Sequence, residues 1–457
     1  MSPKDGPTAN ELDQKIRVLA RNNELAAETA EAQAAARAKE TPRITAGANG
    51  FAISSADTNF VFRLRGIVQL DSRSFFDDNP YLQGNDGFYL RRARPIFEGT
   101  VFRDFDFNLT PDFAGNTVQI YDAWMNYRYR PELQLKAGKF KGPVGFEMLQ
   151  SDAMLPFNER SLVTDFVPIR NLGIQLWGDL AGGAVSYAAG IFNGSGDGRV
   201  ASNSDFGDDK EVAGRLAFLP FKNSDIAAVQ GFGFGAGGSY SQVNSNTAGL
   251  PSTTGGAGAN PPPGYITSAL QQFFAYNPAV GTVYADGVHW RISPFATYTK
   301  GPFGLLGEYI IAQQGVVNSV TGARANLVDK AWQASAQWVL TGEDASFTGI
   351  TPKSPFDPRA GKWGALQLVA RFAQADLDSD AFPVFSDPTL SAQSAMGWGI
   401  GLNWWLNKNV RVLTSYSKTW FDGGGEVNPA INRSLVPPAT VTHQDESVFM
   451  TRLQLAF

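Results

Sequence analysis

From residue 60 to the C-terminus the chain alternates apolar and polar positions with a period of two. Strands that show one face to an apolar medium and the other to water have this pattern. In 61–71, Arg63, Arg65, Gln69 and Asp71 fall on one face and Phe62, Leu64, Val68 and Leu70 on the other. In 102–112, Asp104, Asp106, Asn108 and Thr110 alternate with Phe105, Phe107 and Leu109. Trp332, Ala334, Ala336 and Trp338 against Gln333, Ser335 and Gln337 repeat the pattern, as do Leu366, Leu368, Ala370 and Phe372 against Gln367, Val369 and Arg371. Sixteen such runs are present, roughly 61–72, 86–99, 102–111, 118–129, 132–141, 172–180, 183–193, 211–219, 229–241, 288–300, 303–313, 330–340, 362–373, 395–406, 409–420 and 444–457. An even number of strands is what a closed single-chain membrane barrel uses. Most connections after even-numbered runs are brief, whereas 142–171, 242–287, 374–394 and 421–443, all after odd-numbered runs, are long. Short turns at one rim and long loops at the other predict an all-β membrane protein, a 16-stranded antiparallel transmembrane β-barrel. One connection, 341–361, follows an even run and is long, so it is either a structured turn or a sign of a miscounted strand.

Two stretches do not alternate. Residues 10–39 are rich in Ala, Glu, Gln, Arg and Lys and free of Gly and Pro, and predict a helix. Leu12, Ile16, Leu19, Asn23, Ala26 and Ala30 at 4-3-4-3-4 spacing form a short coiled-coil seam, too weak to hold without help from the following domain. Residues 142–171 form a 30-residue connection with four acids (Glu147, Asp152, Glu159, Asp165), two arginines (Arg160, Arg170) and anchors such as Phe146, Met148, Leu155, Phe157 and Phe166. A connection of that length with its own apolar residues is expected to do something. We expect it to fold into the barrel mouth and narrow a pore. The resulting plan is an N-terminal helix in 1–43, a linker in 44–59, and a barrel in 60–457 with 142–171 turned inward. The insert 242–287, with TTGGAGANPPPG at its centre and no Lys or Arg, is expected to be an exposed loop.

Composition narrows the class. The balance of 38 basic against 43 acidic residues, net −5, argues against a nucleic-acid binder, so any attraction for anions must be local. Cysteine is absent, which suits an exported protein. No uninterrupted apolar window of about 18 residues exists, so helical membrane spans are excluded. Aromatics at 12% with 48 glycines fit a wall that alternates between lipid and water. The opening MSPKDGPTANELDQK lacks the basic-then-apolar pattern of a secretory signal.

Chemistry is carried by charge. Arg63, Arg65, Arg92, Arg94, Arg128, Lys136, Lys139 and Lys141 stand on the wall, and Arg160 and Arg170 on the inward loop. A channel selects through pore width and rings of charge, and planar guanidinium groups suit oxyanions. Arg63, Arg65, Arg92 and Arg94 are expected to meet low in the lumen, with Asp104 and Asp106 as counter-charges. The two acids of FRDFDF at 102–107 suit a polar lumen better than acid/base catalysis or a cation site. Only His289 and His443 are available for nucleophile activation and neither lies in a nucleophile motif, so an enzyme is not expected.

The motifs RRARPIFEGTVFRDFDFNLTPDF at 91–113, IYDAWMNYRYRPELQLKAGKFKGPVG at 120–145 and NERSLVTDFVPIRNLGIQLWGD at 158–179 resemble the phosphate-selective porins of the O/P type. YAAGIFNG at 187–194, LTGE at 340–343, WGALQLVARF at 363–372 and LNWWLNKNVRV at 402–412 extend the resemblance over essentially all of 60–457. The final strand, closing on Phe457, is similar to the last strand of bacterial outer-membrane proteins. The resemblance implies a 16-stranded homotrimeric channel in the outer membrane of a Gram-negative-type cell, with the third outer loop in the lumen. It also implies small anions such as phosphate as solutes, and outer-membrane lipid and lipopolysaccharide as neighbours. The helix is expected in the periplasm, where peptidoglycan is within its reach. No cofactor or metal is expected. The alternative is a general porin without selectivity whose helix tethers the membrane to periplasmic structures; the net acidic loop 142–171 is the departure from the family that favours it.

Overall fold

The computed structural model describes residues 9–76, 86–115, 117–199, 209–243, 262–388, 390–423 and 445–457. Helix α1 (Ala9–Glu40) is followed by a hairpin, β1 (Arg43–Gly47) and β2 (Gly50–Ser54). Nine barrel strands come next: β3 (Val61–Phe75), β4 (Gly87–Val101), β5 (Phe105–Asp112), β6 (Gln119–Arg130), β7 (Leu133–Phe140), β8 (Asn171–Leu180), β9 (Val185–Phe192), β10 (Glu211–Phe218) and β11 (Phe232–Val243). A small hairpin, β12 (Tyr265–Ile266) and β13 (Gln272–Phe274), separates them from seven more. These are β14 (Val283–Lys300), β15 (Phe303–Asn318), β16 (Arg324–Val339), β17 (Ala365–Asp376), β18 (Ser394–Trp405), β19 (Val410–Asp422) and β20 (Glu446–Ala456).

Each barrel strand pairs antiparallel with the next, and β20 returns to β3 from Val448↔Phe75 to Ala456↔Ile67, closing a 16-stranded barrel. Closure satisfies backbone groups that lipid would leave unpaired. The sequence alternation is realised as two faces. Leu70, Leu90, Met125, Leu135, Ile174, Ile191 and Leu216 lie exposed on the outer wall, while Gln69, Asp71, Asn126 and Gln454 are buried inside. The last strand is clamped at its end: Phe457 and Gly66 exchange backbone hydrogen bonds of 3.0 Å each way, and a side chain at Gly66 would press on the Phe457 ring.

Several findings depart from the sequence expectations. Residues 44–59 are not a plain linker, because β2 pairs with the start of β3 from Phe51↔Leu64 to Ser54↔Val61 and prolongs the sheet beyond the barrel rim. The run expected from 102 begins at Phe105, since Phe102 and Arg103 take positive φ (49° and 66°) in a tight turn. The long connection 341–361 is a structured turn, not a missed strand. Its Ala345 and Ile350 pack with Val339, Ala365 and Trp405, and Met154 of the inward loop rests on that cluster. The insert 242–287 is not wholly an exposed loop. Pro262, Pro263 and the β12–β13 hairpin lie within the barrel, with Tyr265, Ala269, Phe273 and Phe274 buried, because this part of the insert is aromatic where its centre is not. Most of that Gly- and Pro-rich centre, 253–261, lies outside the described residues.

Candidate functional site: the lumen and its constriction

Loop 142–171 leaves β7 at Phe140, turns through Gly145 (φ 80°) into the single-turn helix α2 (Phe146–Leu149), and ends in a 3-10 turn at Leu162–Phe166. Its apolar anchors explain why it folds inward. Met148, Leu155, Phe157 and Phe166 are each at most 5% exposed, and the Phe146 ring lies 4.7 Å from that of Phe295 on the far wall. The amides of Phe146 and Glu147 donate to the Glu308 carboxylate at 2.5 and 3.1 Å. Phe166 also packs on Tyr265, so the loop and the β12–β13 hairpin form one apolar mass that includes Ile310 of β15, Leu327 of β16 and Ala373 of β17. That side of the barrel is filled.

Each acid of the loop meets arginine. Glu147 lies 3.3 Å from Arg371 on β17. Asp152 pairs with Arg94 and, at 2.5 Å, with Arg160. Glu159 receives Arg91 at 2.7 and 3.1 Å and Arg452 of β20 at 2.7 Å, and Arg452 also grips Asp71 at 2.6 and 2.8 Å. Asp165 pairs with Arg199 at 2.7 Å and accepts from the Ile266 amide at 3.3 Å. Burial works to raise the carboxyls of Asp152 and Glu159, but the surrounding arginines overcome it and hold both well below the usual range. At Asp165 burial outweighs Arg199 and lifts the carboxyl to about 7.

Open space remains along the opposite wall. Two adjoining open cavities share Asn108, Asp122, Lys141, Ser151 and Arg170. The first reaches the short-turn rim at Asn49, Lys408 and Phe457, and the second follows the wall through Trp124, Lys136, Trp177 and Arg215. Together their charged lining is three acids (Glu98, Asp122, Asp152) against seven bases, namely Arg65, Arg94, Lys136, Lys141, Arg170, Arg215 and Lys408. Arg170 holds Asp122 with two contacts of 2.8 Å, and Arg65 lies 3.4 Å from Glu98. Among the described residues Lys136 and Arg215 make no ion pair, and Lys141 donates to the Gln150 carbonyl. Lys136 is held by rings, with its ammonium 4.5, 5.1 and 5.5 Å from the centroids of Trp124, Trp177 and Phe140.

The structure thus brings together Arg65, Arg94, Lys136, Lys141 and Arg170 on the open space, and separates the other candidates. Arg63 is exposed beside the β1–β2 hairpin, opposite Glu98. Arg128 lies near the short-turn rim, 3.4 Å from Asp106. Arg92 is 2% exposed and donates to Gln69 at 2.6 Å, Lys139 is buried, and Arg160 is locked inside the loop by Asp152 and the Gln150 carbonyl. The expected grouping of Arg63, Arg65, Arg92 and Arg94 with Asp104 and Asp106 does not form. Register places Gln69 opposite Arg92 and Leu70 opposite Leu90, so Arg91 is an extra, bulged residue, and this end of β4 faces the loop. The counter-charges are Asp112, Asp152 and Glu159 for Arg92 and Arg94, and Glu98 for Arg65.

Sequence reasoning missed Arg91, Arg215, Arg371 and Arg452. Arg371 and Arg452 were marked by strand alternation, lying on polar faces with Gln367 and Gln454; a bulge such as that at Arg91 leaves no pattern in a single sequence. His289 is buried 3.3 Å from Asp197, a structural contact, and His443 lies outside the described residues. Among the described residues no group of three or more His, Asp or Glu is placed to hold a metal ion.

The comparisons agree with this geometry. The family described as phosphate-selective porin O and P matches residues 62–423. Porin O of Pseudomonas aeruginosa is 23% identical over 402 residues, covering 82% of this chain and 86% of that protein. Among solved structures, the outer membrane channel DcaP of Acinetobacter baumannii superposes with a TM-score of 0.53 at 10% identity, over 87% of this chain and 98% of that one. OmpT of Vibrio cholerae, folded in vitro, gives 0.50 at 10% identity over 87% and 98%. With a closed 16-stranded barrel, an inward third loop and a family match over most of its length, this chain belongs to the phosphate-selective porin O and P family, and it is an outer-membrane porin.

Proposed function

We propose that the protein is a passive diffusion channel for small hydrophilic solutes that prefers small anions such as phosphate. The observation that carries this is the lining of the open space, seven bases against three acids, in a chain whose net charge is −5. The acidity of loop 142–171, which argued against anions, is neutralised by Arg91, Arg94, Arg160, Arg199, Arg371 and Arg452, so the uncompensated charge that a passing ion meets is positive. A low-dielectric wall around a narrow aqueous path strengthens that field. The family description, phosphate-selective porin O and P, supports phosphate as the oxyanion. Reversal potential in a salt gradient tests the anion preference, and phosphate added as a competitor of chloride current tests the solute. Block by phosphate at millimolar concentration or below supports the reading; a cation-preferring reversal potential refutes it.

Helix α1 would serve assembly. Its seam residues Leu12, Ile16 and Leu19 are 48, 59 and 61% exposed in one chain, which favours partners along the helix. Three copies of the barrel would place three such helices side by side, about 48 Å long at about 1.5 Å per residue. They would sit on the short-turn side, since β3 starts at the rim where β20 ends. That rim faces the periplasm in outer-membrane barrels. There the helices would be within reach of peptidoglycan, while the apolar outer wall meets membrane lipid and lipopolysaccharide. Crosslinks that trap dimers only would refute the trimeric bundle.

A further inference from the structure

The wall of the second cavity contains a hollow that charge selection alone does not use. Two successive inward rows cross β7 to β10. In the upper row Lys136, Gln175 and Gly190 are register partners in turn, and in the lower row Trp177, Ala188 and Arg215 are. Ala188 of β9 is the small residue of the lower row, so the wall is recessed there between the Trp177 indole on one side and the Arg215 guanidinium on the other, while the Phe192 ring fills the space over Gly190. Pro143 and Leu149 of the inward loop cover the recess. It has one apolar flank and one cationic flank. Among the described residues Arg215 makes no ion pair, Asp179 being the acid that acts on it at longer range, and its Nε is buried without a hydrogen-bond partner, as is the Oε1 of Gln175, a residue 8% exposed.

We propose that this hollow is a subsite for organic carboxylates with a flat apolar body, of which benzoate is the simplest probe. The inference rests on the channel reading above. The carboxylate would face Arg215, whose planar fork matches two oxygens. The ring would lie on Trp177 across Ala188, a separation of two strand spacings, about 9.6 Å. Lys136 adds positive charge, its ammonium held among rings. Inorganic phosphate gains nothing from indole faces and loses hydration against them. An aromatic body instead buries about 60 Å² of apolar surface there, which at about 25 cal/mol per Å² corresponds to about tenfold tighter binding than acetate.

The test is chloride current through the whole protein in a planar bilayer, with sodium benzoate, acetate or phosphate added to one side. Benzoate is expected to halve the current at a concentration about tenfold lower than acetate. Ala188→Leu, which fills the recess, is expected to bring that ratio within about twofold of one. If that variant does not assemble, Arg215→Gln is expected to raise the benzoate concentration needed about fivefold. Chloride current with equal block by benzoate and acetate overturns the inference and leaves the channel standing, whatever the concentration at which phosphate blocks. Absence of chloride current in the unaltered protein overturns both.

Discussion

Lys136 is the side chain through which the electrostatic reading is most sharply tested. It stands on β7, projects into the second cavity, and has rings as its nearest neighbours. An ion passing at about 6 Å feels about 0.7 kcal/mol per unit charge if the path is as polar as bulk water, and about 2.8 kcal/mol at an effective dielectric near 20. Lys136→Glu changes the local charge by two units, so even the aqueous limit gives about 1.4 kcal/mol against an anion, about tenfold in its relative concentration. The opposite shift applies to a cation, so the anion-to-cation permeability ratio should fall by tenfold or more at low salt. At about 1 M salt, where the screening length shrinks to about 3 Å, most of the effect should vanish. Reversal potentials at the two ionic strengths provide the assay, with heat-modifiable gel migration as the check that the barrel has formed. A ratio unchanged at low salt in an assembled barrel would refute the placement of the conducting path along β7.

Arg452→Ala should destabilise the anchoring of the inward loop by about 3–5 kcal/mol, because Glu159 and the Asn158 carbonyl of the loop lose a buried charged partner on the wall; increased current noise and proteolysis within 142–171, with the barrel intact, would show it. The raised carboxyl of Asp165 makes loop docking pH-dependent. Its contribution is fully present below the unfolded carboxyl range near about 4 and is lost as pH rises through about 7, so protection of 142–171 from proteolysis should decline over that window, and Asp165→Asn should flatten the decline. Removal of residues 1–42 should leave single-channel conductance unchanged and lower the temperature at which oligomers dissociate in detergent; a loss of conductance would show that α1 contributes to the pore.

The barrel was legible because alternation is a local property. Phe62 to Leu70 and Trp332 to Trp338 each announce a two-faced strand without reference to any other part of the chain, and the loop asymmetry then orients the whole. The inward loop was legible for the same reason, since anchors such as Phe146 and Phe166 have no place in an exposed connection. The partners of the charges were not legible. Which arginine meets Glu159 depends on a bulge at Arg91 and on a strand 293 residues away that carries Arg452. The β12–β13 hairpin was hidden by the low-complexity segment around it, although Tyr265, Phe273 and Phe274 were the signal that could have found it.

The chain has no cysteine, so single thiols can report where water runs and which charge it carries. Gln175→Cys places a thiol on the β8 wall of the second cavity, and Gln333→Cys places one on β16, where Gln333 is 2% exposed beside Glu147 and Glu308. The current through each variant, followed during addition of an anionic and then a cationic methanethiosulfonate reagent, tests path and sign together. The thiol at 175 should react, faster with the anionic reagent, and its modification should reduce the current, while the thiol at 333 should not react. Rapid reaction at 333 with none at 175, or a preference for the cationic reagent at 175, would contradict an anion path along the β6–β10 wall.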